Sequence, residues 1–402
     1  MPALRANKSA IEKALRSRSR NIAGSARKPL SGFVVCQIAL AFVLLTSAGI
    51  IGRTLLHISS LNPGLDVHNV LTARVAISPE ALSSPKMARA AWKELMDSLR
   101  ADPAVQSVAL TDTVPMREGQ NVVNYWVTTT PPPPNQAAES LAVGASPDYL
   151  KVMRIPLLRG RFVDETDGMD IRQVVVIDEN MARHAFPGAD PVGKLVWIPS
   201  MGPRPVLVVG VVGHVRHWGL ADDDLSRVHD QFYYPPGQVP DQLMKFFSSI
   251  ISVVVRTNIP PLNTIDTVQR EARGAMGDQS LYELRTMEQL VSASLDQQRF
   301  LLFLFAIYSG VALLLACVGI YGVIAYLTSQ RVPEIGVRIA LGASRSDILG
   351  LVLRQSLVIV LVGIGVGILA SFATGRILQS LVSVMQPSKA AMFIVVLPLP
   401  LA

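Results

Sequence analysis

The sequence predicts an α-helical membrane protein that carries an extracytoplasmic α+β domain, and three observations lead there. Phe300 to Gln330 and Gln355 to Gly375 hold no charged residue. Each is long enough to cross the roughly 30 Å hydrocarbon core, which takes about 20 apolar residues as a helix. The polar stretch between them, Arg331–Arg354, carries four arginines against one Glu and one Asp, so the positive-inside rule places it in the cytoplasm. Third, the apolar residues concentrate at the two ends, while 53–299 reads like an ordinary water-soluble domain.

Charge follows the same division. The chain of 402 residues is +7 overall, yet residues 1–29 alone hold eight Lys/Arg and one Glu. The 331–354 loop adds +2, and Arg376 with Lys389 add +2, which leaves −4 for the stretch between Arg53 and Arg299. The basic charge therefore flanks the membrane, where it sets orientation and meets anionic lipid, and it gives no reason to expect nucleic acid as a partner. Mean hydropathy is +0.37 and half of the residues are hydrophobic, a composition that points away from a wholly soluble protein. Both cysteines, Cys36 and Cys317, fall in predicted spans, so the middle domain has no disulfide framework and must rest on an apolar core.

Taken in order, Met1–Pro29 reads as a basic cytoplasmic tail. Leu30–Gly52 is an apolar run of 23 residues, longer than the core of a signal peptide, and is expected to be an uncleaved first span. Asn62-Pro63-Gly64 marks a turn. Val70–Ile77 reads as a strand, and Ser84-Pro85 as the start of a helix to about Arg100. Ala104–Leu110, Val122–Thr128 and Leu141–Ala145 read as strands, with the polyproline stretch Pro131–Pro134 as an exposed link. Pro147–Met153 is expected to be a short helix. Val174–Ile177 is a continuous apolar strand feeding a helix over Glu179–Phe186. Val206–Val212, Ile250–Val255 and Leu281–Leu284 complete the predicted strands. Leu262–Met276 and Met287–Phe300 read as helices, the second running on into the span at 300–330. After 355–375 come a loop and the run Ala390–Ala402, 13 residues, too short to cross the bilayer and read as an incomplete fourth span.

Few motifs suggest chemistry. The sequence contains no G-x-x-x-x-G-K-[ST] phosphate loop, no HExxH, no CxxC and no G-x-S-x-G elbow, so neither catalytic residues, a cofactor nor a metal is predicted. His214-Val215-Arg216-His217 reads as a polar strand end, Asp222-Asp223-Asp224 as a solvated loop, and Asp164, Glu165, Asp167 and Asp170 as a surface cluster. Segment 331–354 is different. Glu334 and Arg338 stand i,i+4 with the acid first, the favourable order on a helix. Ile335 and Ile339 share a face, so Pro333 to Leu341 can form a short amphipathic helix that Gly342 would end. Ser344 with Asp347 then resembles the cap of a new helix running into the last span. Such a loop is either a plain connector or a lever tied to both spans and shaped to dock a cytoplasmic partner. Gly363 and Gly367 form a GxxxG, which lets another helix approach closely.

These residues carry a resemblance. The segment QRVPEIGVRIALGASRSDILGLVLRQSL resembles the cytoplasmic loop of FtsX/MacB-type ABC transporter permeases. The middle domain is similar to the MacB-like periplasmic core in ASPDYLKVMRIPLLRGRFV, VVVIDENMARHAFPGADPVGKLV and VVGVVGHVRHWGL. The match looks nearest to one half of the duplicated orphan permeases of that family. The resemblance implies a non-enzymatic permease of the bacterial inner membrane, N-terminus cytoplasmic, active in transport, efflux or mechanotransmission. A separate cytoplasmic ABC ATPase would bind the ATP and dock on Glu334, Ile335, Arg338, Ile339, Gly342, Ser344, Arg345 and Asp347. The implied division is a tail over 1–29, spans at 30–52, 300–330 and 355–375, a periplasmic core over 53–299, a coupling loop over 331–354, and a loop with an incomplete span over 376–402. Lipid, a second copy or another permease half are the other partners expected. Members of the family usually have a fourth span and a basic or polar residue at the place of Pro333, and often Asp at the place of His214. The alternatives are a membrane sensor or scaffold with a ligand-binding outer domain, and a non-functional fragment of a duplicated permease.

Overall fold

The structure, a computed structural model, describes residues 27–76, 84–117, 121–133, 136–168, 171–221, 223, 228–276 and 281–385. The chain divides into two compact units, Ile58–Asp296 and the segments on either side of it. In chain order the elements are α1 (Arg27–Ser59), β1 (Val70–Val75), α2 (Pro85–Ala101), β2 (Val105–Thr111), β3 (Val122–Tyr125), β4 (Ala138–Gly144) and α3 (Tyr149–Met153). There follow β5 (Leu157–Gly160), β6 (Val174–Asp178), α4 (Glu179–Ala185), β7 (Leu195–Val196), β8 (Val206–Val212), β9 (Asp230–Tyr234), α5 (Met244–Ile250), β10 (Ser252–Thr257) and α6 (Ile265–Met276). The last are β11 (Leu281–Thr286), α7 (Met287–Ala293), α8 (Asp296–Gln330), α9 (Val332–Ala340) and α10 (Arg345–Met385).

The 58–296 unit is an α+β domain of two sheets. The first is wholly antiparallel in the order β11-β1-β10-β2. The second is mixed, in the order β3-β4-β9-β6-β8-β5 with β7 also on β8; β4 with β9 and β6 with β8 run parallel. All strands of the second sheet lie in sequence between β2 and β10, so the chain enters and leaves the domain through the neighbouring strands β1 and β11.

Alternation explains the layers. Leu71, Ala73 and Val75 point to one face of β1 and pack with the buried stripe Ala88, Trp92, Leu95 and Leu99 of α2 and with Val268 and Ala272 of α6. That stripe follows helical spacing. Ser84 caps α2, its hydroxyl accepting from Met87 N at 3.2 Å, and Pro85 at N1 sacrifices no needed donor. The opposite face of the first sheet, through Val70, Ala109 and Val254, joins a core with Leu141, Val143, Val176, Val212 and Tyr233 of the second, and α3 supplies Tyr149, Val152 and Met153. Beyond the second sheet, Val175, Ile177, Val206, Val208 and Phe232 pack under Met181 of α4.

The sheets meet at Asp112. Thr111 bridges to Ala145, and the Asp112 carboxylate accepts from Gly144 N at 2.7 Å and from the Tyr234 hydroxyl at 2.6 Å. Burial pushes this carboxyl up to about 6, against the pull of those hydrogen bonds.

Among the described residues of the second unit, three helices are long and apolar enough to cross a membrane, at Ser31–Ser59, Asp296–Gln330 and Ser356–Ala373. Helix α1 packs on both others. A Cβ at Gly363 would lie 2.7 Å from Ile38 Cβ, and one at Gly367 2.9 Å from Phe42 Cβ. At Gly319 a Cβ would strike the Gln37 side-chain oxygen. Such contacts need a hydrogen in place of a side chain. Val34, Ile38, Ala316 and Val323 form the buried core of this packing.

Several sequence expectations are corrected. The helix predicted over Met287–Phe300 is broken: α7 ends at Ala293, with a capping box between Thr286 and Gln289 at its start, and α8 begins at Asp296. Strands β5, β7 and β9 and helix α5 were not expected. Asp167 is buried, not a surface acid; Arg161 donates to it at 2.7 and 2.8 Å. The tail over 1–26, Asp170, Asp222, Asp224 and the run from 390 lie outside the described residues.

Candidate functional site

Segment 331–344 forms the candidate site. Arg331 ends the long apolar helix α8, and Pro333 enters the first turn of α9, where its missing N–H costs nothing. Arg338 donates to Glu334 at 2.7 Å across one turn, both half-exposed, a pair worth about 0.3–0.5 kcal/mol that rigidifies a nine-residue helix more than it stabilises the protein. Gly342, at φ +94°, reverses the chain, with Gly342 N and Ala343 N donating to Ile339 O and Arg338 O. Ser344 precedes α10, and its hydroxyl lies 2.7 Å from that of Ser346. Arg345 and Asp347 stand in the first turn of α10. No residue of α9 is buried. Val332 and Val337 are 60% exposed, Ile339 56% and Leu341 83%, with Ile335 half-buried beside them. An amphipathic helix with its apolar residues uncovered and a charged pair across its flank is the chemistry of helix-in-groove docking.

A second cluster lies within the outer domain. Asp178 ends β6 and caps α4: its Oδ1 accepts from Met181 N at 2.9 Å and from Gln231 N at 3.0 Å. Its Oδ2 pairs with His214 Nδ1 at 2.7 Å, and His214 Nε2 pairs with Asp223 Oδ2 at 2.9 Å. His214 is 17% exposed and both carboxylates are buried. Burial works against a charged ring here, but hydrogen bonds and charge from Asp178 and Asp223 outweigh it and raise the His214 pKa to about 9. His217, fully buried, is pushed down to about 3 by burial and then by the charge on His214. The 213–217 stretch is thus a buried, charged fastening, not a polar strand end, and Asp223 is not solvated. Beside it His184 Nδ1 meets Asp230 at 2.7 Å, and Tyr125 donates to the other oxygen of Asp230 at 2.5 Å. These pairs tie β6, β9, α4 and the loop after β8 together. Among the described residues no group of three His, Cys, Asp or Glu is arranged to hold a metal ion.

Residues 32–275 match the model of the MacB-like periplasmic core domain, and residues 306–401 that of the FtsX-like permease C-terminal region. A macrolide export ATP-binding/permease protein MacB of Agrobacterium fabrum is 28% identical over 61% of this chain and 37% of its own length. An ABC transporter permease of Bacillus subtilis, YknZ, is 28% identical over 56% of this chain and 55% of its own length. The chain thus spans between about a third and a half of the curated relatives it matches. The periplasmic region of MacB from Actinobacillus actinomycetemcomitans aligns over 59% of this chain and 97% of its own, with TM-score 0.38 and 18% identity.

Proposed function

The chain belongs to the MacB/FtsX-type ABC transporter permease family, and from that premise we propose that it takes motion from a separate cytoplasmic ATPase and passes it to its outer domain. The family role, a membrane-embedded ABC permease with a periplasmic domain, sets the frame. The finer assignment is our reading: N-terminus and 331–344 in the cytoplasm, 58–296 in the periplasm of the inner membrane.

The observation that carries this reading is the uncovered apolar face of α9, hung between α8 and α10. Partner motion at α9 would enter both helices through Arg331 and Gly342. Helix α8 leads by way of α7 to β11, and α1 leads to β1, its hydrogen-bonded neighbour. A push at the loop is therefore delivered to one side of one sheet. Residues 1–402 hold no phosphate loop, and in this reading the ATP is bound by the partner. The apolar middles of the spans, 31–52, 300–330 and 356–373, carry no Asp, Glu, Lys, Arg or His to line a pore, which favours mechanical work on a substrate outside the membrane over passage through the chain.

Purification in mild detergent from its own cells tests this. The parent chain is expected to bring down an ABC ATPase, and the double variant Glu334→Ala, Arg338→Ala to lose it. A parent that is stable in the membrane yet retains no ATPase would leave the sensor or scaffold reading.

A further inference from the structure

The loop between α1 and β1 is fastened to more than the strand it feeds. Gly64, at φ +83°, approaches the 213–217 stretch so closely that a Cβ there would strike His214 O and lie 3.0 Å from Val215 Cα. Only glycine permits both that backbone conformation and that approach. Beside it Arg216 N donates to Pro63 O at 3.0 Å, so the two backbones are joined directly. Asn62 sets the turn, its side-chain oxygen accepting from Gly64 N at 2.9 Å. Leu65 is buried in the core that includes Val212 and Val215.

The loop is held as firmly on its other side. Asp66 N donates to Met153 O at 2.9 Å, and the Asp66 carboxylate accepts from Arg154 at 2.7 Å and from Arg256 at 3.3 Å. The buried Arg256 also donates to Asp66 O and His68 O, both at 2.8 Å, and to Val152 O at 2.6 Å. A planar guanidinium that divides its donors between one loop and α3 fixes that loop in a single arrangement. A loop held on both sides passes a displacement on instead of absorbing it. Beyond the contact lies the second sheet. Residues 214–216 follow β8, and the His214 ring is held by Asp178, which ends β6 and caps α4.

We propose that Pro63 and Gly64 form the joint through which motion of α1 reaches the second sheet, so that the first span drives β6, β8 and α4 and not β1 alone. The proposal rests on the reading of α9 as the dock of an ATPase, and it adds to the β1–β11 route a branch that bypasses the first sheet. Pro63 and Gly64 act by position: they hold one backbone against another, and Asp66 with Arg256 keeps the loop from yielding.

The test measures amide hydrogen exchange on the chain with its co-purified ATPase in nanodiscs, with and without ATP. It follows 174–178 and 206–217 of the second sheet and its loop, and 70–75 and 281–286 of the first sheet. In the parent, ATP should change exchange in both sets, the Arg216 amide included. Gly64→Ala should keep the ATPase and the change in 70–75 while losing the change in 174–178 and 206–217. Asn62→Ala, at an exposed position, loosens the turn without a clash and should reduce the same change, which keeps the test decisive if Gly64→Ala does not fold. Gly188→Ala is the control: at φ +73° it carries similar backbone strain with nothing within 4 Å, and it should behave as the parent. A second sheet that answers ATP equally in the parent and in the variants at 62 and 64 overturns the joint. So does a Gly188→Ala that loses the response as well. A parent in which only 70–75 and 281–286 respond overturns the joint and leaves the ATPase reading standing, whereas no response in any strand overturns both.

Discussion

Replacing His214 by Asn should remove most of the alkaline sensitivity of the outer domain. In the fold, His214 is held between two buried carboxylates and its pKa rises to about 9; in the unfolded chain it titrates near 6.5. The unfolded state therefore binds fewer protons than the folded state between those values. The stabilisation is complete below about pH 6.5 and is lost as pH rises through about 9. At 1.36 kcal/mol for each pH step, the difference is at most roughly 3 kcal/mol. All four tryptophans, at 92, 126, 197 and 218, belong to the 58–296 unit, and Trp218 donates to Val228 O at 3.0 Å in the fastened loop. Urea unfolding of the full chain in detergent, followed by tryptophan fluorescence, thus reports on this domain. The parent should lose up to roughly 3 kcal/mol more than His214→Asn between pH 6.5 and 9.5. The variant should be less stable at pH 6.5, since Asp178 and Asp223 stay buried without their cation. Parallel pH profiles for the two proteins would refute the argument.

Two further perturbations probe other joints. Asp112→Asn removes a buried charge while keeping its Oδ1 as acceptor for Gly144 N, and its amide NH2 can donate to the Tyr234 hydroxyl, which reverses its role. Because the carboxyl pKa is raised from 3.8 to about 6, the parent loses stability as pH climbs through that window. The variant should gain up to roughly 3 kcal/mol at pH 7.5 and nothing near pH 4, read by the same urea curves. Gly363→Leu should destabilise the helix packing by about 1–3 kcal/mol, because its Cβ would press on Ile38 at 2.7 Å. Gly365→Leu, where nothing lies within 4 Å, should be neutral in a thermal aggregation assay, and equal losses in the two would contradict the packing.

What the sequence disclosed follows the range of the interactions. Helices α1, α8 and α10 were legible from uncharged runs, α2 from Ser84-Pro85, and α9 from Glu334–Arg338. Each signal lies within a few residues. Strand β9, DQFYY, was missed although Phe232 and Tyr233 are fully buried, because only its neighbours β4 and β6 supply its pairing. Strand β5 has four exposed residues and so no alternation to read. Helix α5 has no side-chain cap. The His214 fastening depends on Asp178, 36 residues away; the local hint was the strand-ending Asp178 ahead of a helix, a cap with a second oxygen to spare.

The central claim is that the state of an ATPase on α9 is felt in the outer domain. Amide hydrogen exchange of residues 70–75 and 281–286 tests it most directly, measured on the chain with its co-purified ATPase in nanodiscs, with and without ATP. Exchange in both strands should change on adding ATP, and the change should vanish in Ile339→Asp, which charges the uncovered face of α9. ATP hydrolysis that proceeds while both strands exchange as before would contradict the account.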